Sequence, residues 1–234
     1  MNYLKIMTMM YLSLLWVSVS YAQVFYEASP DEAPDHLTPV SLGYQGYKGE
    51  LRELLCYSNR KVISYVLITP SFSAESCIAL YFEVDNEILK KFGGISGVPN
   101  TKKKYFLSYS EPHSRIWIDW LDRKGEGVGA NIRIENQGIH VPIDFAATLQ
   151  RIMAKLLLEV RYPKYFSYSK DGTKYELSAF VKGLGYISGE ASSPPPKGVS
   201  RLISTIENVT RKLISYEDAQ YTLSKIEHGI VVSE

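Results

Sequence analysis

The sequence predicts an α+β fold. A single domain carries a largely antiparallel sheet of about six or seven strands, a central helix at about 144–160, and two C-terminal helices packed on the sheet. Three observations point there. Short runs rich in β-branched and aromatic residues recur from Lys61 onward, mostly joined by connections too short for a parallel crossover. One long segment repeats apolar residues at i, i+3 and i+4, and the tail repeats that pattern twice more.

Residues 1–22 read as a cleaved secretory leader. Lys5 is the sole charge before Glu27 and precedes the apolar run "IMTMMYLSLLWVSV", after which Ser20 and Ala22 fit a small-x-small cleavage site. That run is about 14 residues, short of the roughly 20 that a membrane-spanning helix needs. The mature chain is therefore expected to begin at Gln23, without a transmembrane segment, in the periplasm of a Gram-negative host or otherwise outside the cell. Loss of Lys5 leaves Lys and Arg equal in number to the 25 Asp and Glu. Such balance argues against a nucleic-acid partner, which needs a surplus of cations. The two cysteines, Cys56 and Cys77, are expected to pair in an oxidising compartment.

Taken in order, residues 23–47 contain three prolines and little periodicity, and read as an irregular arm before a domain spanning 48–234. From Gly49, Leu51, Leu54 and Leu55 share a helical face that carries Cys56. "KVISYVLIT" and "CIALYFEV" read as strands. Asp85 caps a short helix, "NEILKKF", which Gly93 and Gly94 stop. "KYFLSYS" and "RIWIDWL" (115–121) read as paired strands flanking "EPHS", and "ANIRIE" as the next strand after a Gly-rich turn. In the central helix, Phe145, Leu149, Ile152, Met153, Leu156, Leu157 and Val160 form one face. "KYFSYS" and "TKYELSAFV" read as a hairpin about a Lys-Asp-Gly turn. Residues 183–198, "GLGYISGEASSPPPKG", read as a stiff connecting loop with an exposed lip at Tyr186 and Glu190. Leu202, Ile203, Ile206, Val209 and Leu213 then share a face, and a last helix runs from about 217 to 227.

Catalytic signatures are sparse. The chain has no G-x-S-x-G elbow. Ser58–Lys61 and Ser167–Lys170 match S-x-x-K, but at strand edges or turns rather than at a helix start. His36, His113, His140 and His228 are scattered without the local pairing that zinc ligands show, and neither Gly-rich run leads into a helix as a phosphate cradle requires. Asn208 begins an N-V-T triplet on a face that the helical spacing buries. No catalytic residue, metal or cofactor is therefore assigned.

Aromatics carry more information, with 18 tyrosines in the chain. On a strand, "RIWIDWL" sends Ile116, Ile118 and Trp120 to one face and sets Trp117 beside Asp119 on the other. That pairing suits a protein partner or a sugar ring. The candidate binding surface is Trp117, Asp119, His113, Tyr165, Tyr175, Tyr186 and Glu190. The reading this favours is an exported, non-enzymatic protein-binding module of inhibitor or immunity type, with another exported or envelope protein as partner. The alternative is an envelope- or polysaccharide-directed hydrolase or carbohydrate-binding protein. It would use Trp117 as platform and Asp119, Glu111 or Glu190 as acid and base, two carboxylates about 5–10 Å apart.

Overall fold

A computed structural model of the chain describes residues 36–40, 45–57, 60–123, 132–162 and 172–232. Within them a single antiparallel sheet holds β1 (Thr38–Pro39), β2 (Lys61–Pro70), β3 (Ser76–Glu83), β4 (Lys104–Pro112), β5 (Ile134–Val141), β6 (Thr173–Val181) and β7 (Gly185–Ser192). Their order in space is β1-β7-β6-β2-β3-β4-β5. The helices are α1 (Gln45–Leu51), extended by a π-helical turn at Arg52–Tyr57, then α2 (Asn86–Lys91), α3 (Ile116–Asp122), α4 (Ile143–Leu158), α5 (Lys197–Thr210) and α6 (Tyr216–Val232). The predicted α+β class is the observed one.

The central strands are nearly continuous apolar runs because both faces of the sheet are covered. On β2 and β3, six consecutive residues are buried in each. One face packs Ile78, Leu80 and Leu107 against Phe145, Leu149 and Ile152 of α4, with α5 and α6 completing that layer. The other packs Tyr65, Leu67 and Ala79 against Leu51, Leu55 and Ile116. Cys56 and Cys77 are bonded beneath this second layer, their Cα atoms 5.6 Å apart and 21 residues apart in sequence. The pairing expected from the composition is present. A bulge between Val62 and Ser64 turns Val62 to the second core and Ile63 to the first, and the Tyr186 hydroxyl donates to the Val62 carbonyl.

The register defines two ends of the sheet. Lys61, Glu83, Lys104, Val141 and the β6–β7 turn lie at one. Pro70, Ser76, Pro112, Ile134 and Ser192 lie at the other, which also carries α3.

Several elements differ from the sequence reading. "RIWIDWL" is not a strand but α3, a helix whose cap comes from a distant residue described below. β4 runs on through Glu111 and Pro112 and pairs with β5, which begins at Ile134 rather than 130 and continues to Val141. Residues 183–198 are not a connecting strut: Gly185–Ser192 form β7, bonded to β6 along its length and to β1 at Glu190 and Gly189. Gly183 and Gly185, at φ 90° and 84°, make the turn that L side chains resist. Gly189 serves a different need, since a Cβ there would come within 2.6 Å of Val160 Cγ2 beyond the end of α4. α1 starts at Gln45, inside the stretch read as an arm, and α6 continues through Gly229 to Val232. Leu213 lies past α5 and is exposed. The predicted leader, Tyr165, and the first half of the "KYFSYS" hairpin lie outside the described residues; the second half is β6, flanked by β2 and β7.

Candidate functional site

The corner around α3 is assembled by one buried carboxylate. Glu75, 2% exposed, sits at the end of the loop from Ser71 that joins β2 to β3. Its side chain accepts from the backbone N–H of Ile116 (2.8 Å) and Trp117 (3.0 Å), and from the Tyr47 hydroxyl. The first N–H groups of a helix lack intrahelical partners and carry partial positive charge, so this carboxylate supplies the cap that Arg115 does not. Arg115 instead donates to the Ser71 carbonyl at 2.5 Å, tying the loop to the helix start. Burial above all, with the bond to Glu75, pushes the Tyr47 hydroxyl well above its ordinary pKa, so it remains a donor.

Helical rather than extended geometry changes what the tryptophans do. Residues three apart on a helix are neighbours, whereas residues two apart do not face each other. Trp117 therefore stacks on Trp120, with ring centroids 5.3 Å apart and planes at 16°, and Tyr47 sets its ring against both. The predicted pairing of Trp117 with Asp119 on one strand face is not formed. Asp119 lies 3.3 Å from Arg123, one helical turn on. Ile116 is buried beneath, while Ile118 and Leu121 remain 49% exposed and Phe72, on the adjoining loop, 77%.

A second polar cluster pins α1 to the sheet. Glu176 on β6 receives two bonds from Arg52 (2.7 and 3.0 Å) and one from the Tyr65 hydroxyl (2.9 Å). Lys48 lies 3.6 Å from Glu176 and 2.8 Å from Glu190 on β7. Burial opposes the charge on Glu176, but the hydrogen bonds and charge of Arg52, with Tyr65 and Lys48, outweigh it and hold this carboxyl below its usual range. Glu190 is thus a half-buried ion-pair partner rather than an exposed lip.

The other expected site residues are dispersed. His113 is exposed, and its backbone N–H extends the β4–β5 ladder by donating to the Arg133 carbonyl. Tyr175 packs against the core on the helical face of the sheet, and Tyr186 lies at the far end beside Phe180. Glu111 faces the helical layer and Glu190 the opposite one. They stand four strands apart, about 19 Å at the usual strand spacing, too far to act as a carboxylate pair. Glu111 does face Glu135 across β4 and β5, in a recess of about 110 Å³ lined also by Tyr109, Gln137 and Arg211. There the Tyr109 hydroxyl donates to Glu111 and accepts from Arg211, which is itself paired with Glu207. That volume is below the roughly 300 Å³ at which ligand pockets begin.

Sequence reasoning missed Glu75, Phe72, Ile118 and Leu121. The legible signal was spacing: Ile116–Trp120 fits one face of a helix or of a strand, but Trp117–Trp120 shares a face only on a helix. Among the described residues no group of three or more His, Cys, Asp or Glu is placed to hold a metal, and no helix is long and apolar enough to cross a membrane. The chain matches no protein-family model, no curated protein and no solved structure.

Proposed function

We propose that the protein is an exported, disulfide-braced binding module that docks another exported protein on the α3 corner. The observation that carries this reading is the exposure of Ile118 and Leu121 on α3, and of Phe72 on the loop tied to its start, beside a tryptophan pair on a helix capped by Glu75. Apolar side chains grouped on a rigid frame, with polar neighbours such as Asp119, Asp122 and Arg123, have the composition of an interface centre. The Cys56–Cys77 bond supports the export part, since such bonds persist in oxidising compartments.

The test is capture from the host's own envelope extract by the wild-type chain and by the double variant Ile118→Asp/Leu121→Asp. A protein retained by the first and lost at least about 30-fold by the second, with unchanged thermal stability, supports the reading; two anchors of about 1 kcal/mol each give that factor. Retention indifferent to the double change, or retention of a glycan and no protein, sinks it.

A further inference from the structure

The opposite end of the sheet has its own character. Its register places the start of β2, the end of β3, the start of β4, the end of β5 and the β6–β7 turn along one rim. The connections there expose large apolar side chains: Phe92 and Ile95 between β3 and β4, Ile143 at the start of α4, and Phe180 and Leu184 about the β6–β7 turn. Leu184, 62% exposed at the tip, is held outward by the tight turn between Gly183 and Gly185. Phe180 sets its ring against Tyr186, and Phe92, Ile95 and Ile143 are each more than half buried, so Leu184 is the most exposed of the set.

The same rim is basic. Lys61, Lys90, Lys91, Lys102, Lys104 and Lys182 are exposed along it, while Lys103 lies half-buried over the Phe82 ring at 4.8 Å. Against these stand four carboxylates on the same connections, Glu83, Asp85, Glu87 and Asp144. Glu83 lies opposite Lys104 in the β3–β4 register, and Asp85 is engaged in capping α2 through the Glu87 N–H. Glu217 and Asp218 begin α6 near the same end, where the Tyr216 hydroxyl donates to the His140 carbonyl, and Asp218 is engaged with Ser215 in capping that helix, so the rim's lysines still outnumber its carboxylates. The rim therefore joins a lysine excess to protruding apolar side chains.

We infer that this rim docks on an anionic lipid surface. Two weak signals together give stable association with a bilayer, one from apolar residues entering the headgroup boundary and one from cations facing anionic headgroups. Both are present on one edge of the molecule. Lysine suits such a site because its aliphatic stem lies along apolar surface while the ammonium reaches the phosphate plane. A soluble acidic protein would satisfy the lysines but would leave isolated tips such as Leu184 without a groove to enter. The inference is independent of the α3 corner, which lies at the other end of the sheet.

The experiment is sedimentation of the chain from Gln23 onward, without the apolar leader, with vesicles of equal parts phosphatidylcholine and phosphatidylglycerol, and with vesicles of phosphatidylcholine alone. Retention is expected on the mixed vesicles, to be weaker on the neutral ones, and to fall with added salt. Lys102→Gln/Lys182→Gln is expected to lower partition about 30-fold, and Leu184→Ser about tenfold. All three positions are exposed, so the thermal midpoint should not move. Ile118→Asp/Leu121→Asp should leave vesicle retention unchanged, which separates a failure here from a failure of the proposed function. Equal retention on both vesicle types, no retention, or retention insensitive to these changes overturns the inference. Binding to immobilised polyglutamate without vesicle retention also overturns it, and reassigns the rim to an acidic protein.

Discussion

Glu75 joins three donors from two segments that are distant in sequence, the Tyr47 hydroxyl and the first N–H groups of α3. Removing the carboxylate leaves those donors buried without partners, the more costly side of hydrogen-bond energetics. Glu75→Ala is therefore expected to lower unfolding free energy by about 3 kcal/mol, measured by urea titration, and to weaken protein capture by freeing the α3 corner. A change below about 0.5 kcal/mol would show that the helix is held by packing of Ile116 alone. Nothing near Glu75 in the sequence announces this role, because its partners lie some 28 and 41 residues away. Asp85 shows the contrast. Its acceptor serves the N–H two residues on, so the start of α2 was legible from the local pattern.

Elements were legible where one local period decided them. The i, i+3, i+4 stripe gave α4 nearly to its bounds, and the apolar runs gave β2 and β3. α3 and β7 were missed for two separate reasons. A seven-residue apolar segment satisfies both periods, and the choice fell to Glu75, which belongs to another part of the chain. In β7 the glycines suggested a loop, whereas one of them is demanded by the approach of Val160 and two by the turn. The candidate site suffered most, because placing Trp117 on a helix separates it from Asp119 and brings it to Trp120. The disulfide acts at this scale too, clasping the π-helical turn after α1 to β3. Cys56→Ala/Cys77→Ala is expected to cost about 3 kcal/mol on loop-closure grounds, read as a lower urea midpoint. An unchanged midpoint would mean that Leu51 and Leu55 suffice to seat that turn.

For the whole molecule, the buried ionisable groups bound the pH range. Burial first of all, then Glu75 for Tyr47 and Glu176 for Tyr65, raises both hydroxyls above their ordinary value. Groups raised on folding give stability that is intact below the unfolded value, about 10 for tyrosine, and is lost as pH climbs beyond it. Glu176 works in the opposite sense. Its lowered value gives stability present above the ordinary carboxyl range, about 4.3, and lost as pH falls through the folded value. Thermal midpoints are thus expected to form a plateau between those limits. On the alkaline side, part of the tyrosinate absorbance should arrive together with unfolding; smooth ionisation of every tyrosine in a still-folded chain would contradict it. At this scale the sheet has two working ends, with the lysine rim proposed for lipid and the α3 corner for protein, so a partner held at the corner would stand off the membrane by roughly the length of the strands. The last consequence concerns time rather than space. Among the described residues β1 is the first strand, yet its partner there is β7, and the Thr38 hydroxyl donates to the Glu190 carbonyl across 152 residues. A chain emerging amino-terminus first presents Thr38 and Pro39 long before their partner exists. Closure of that edge therefore waits for nearly the whole chain to emerge, and falls among the late, non-local steps of folding.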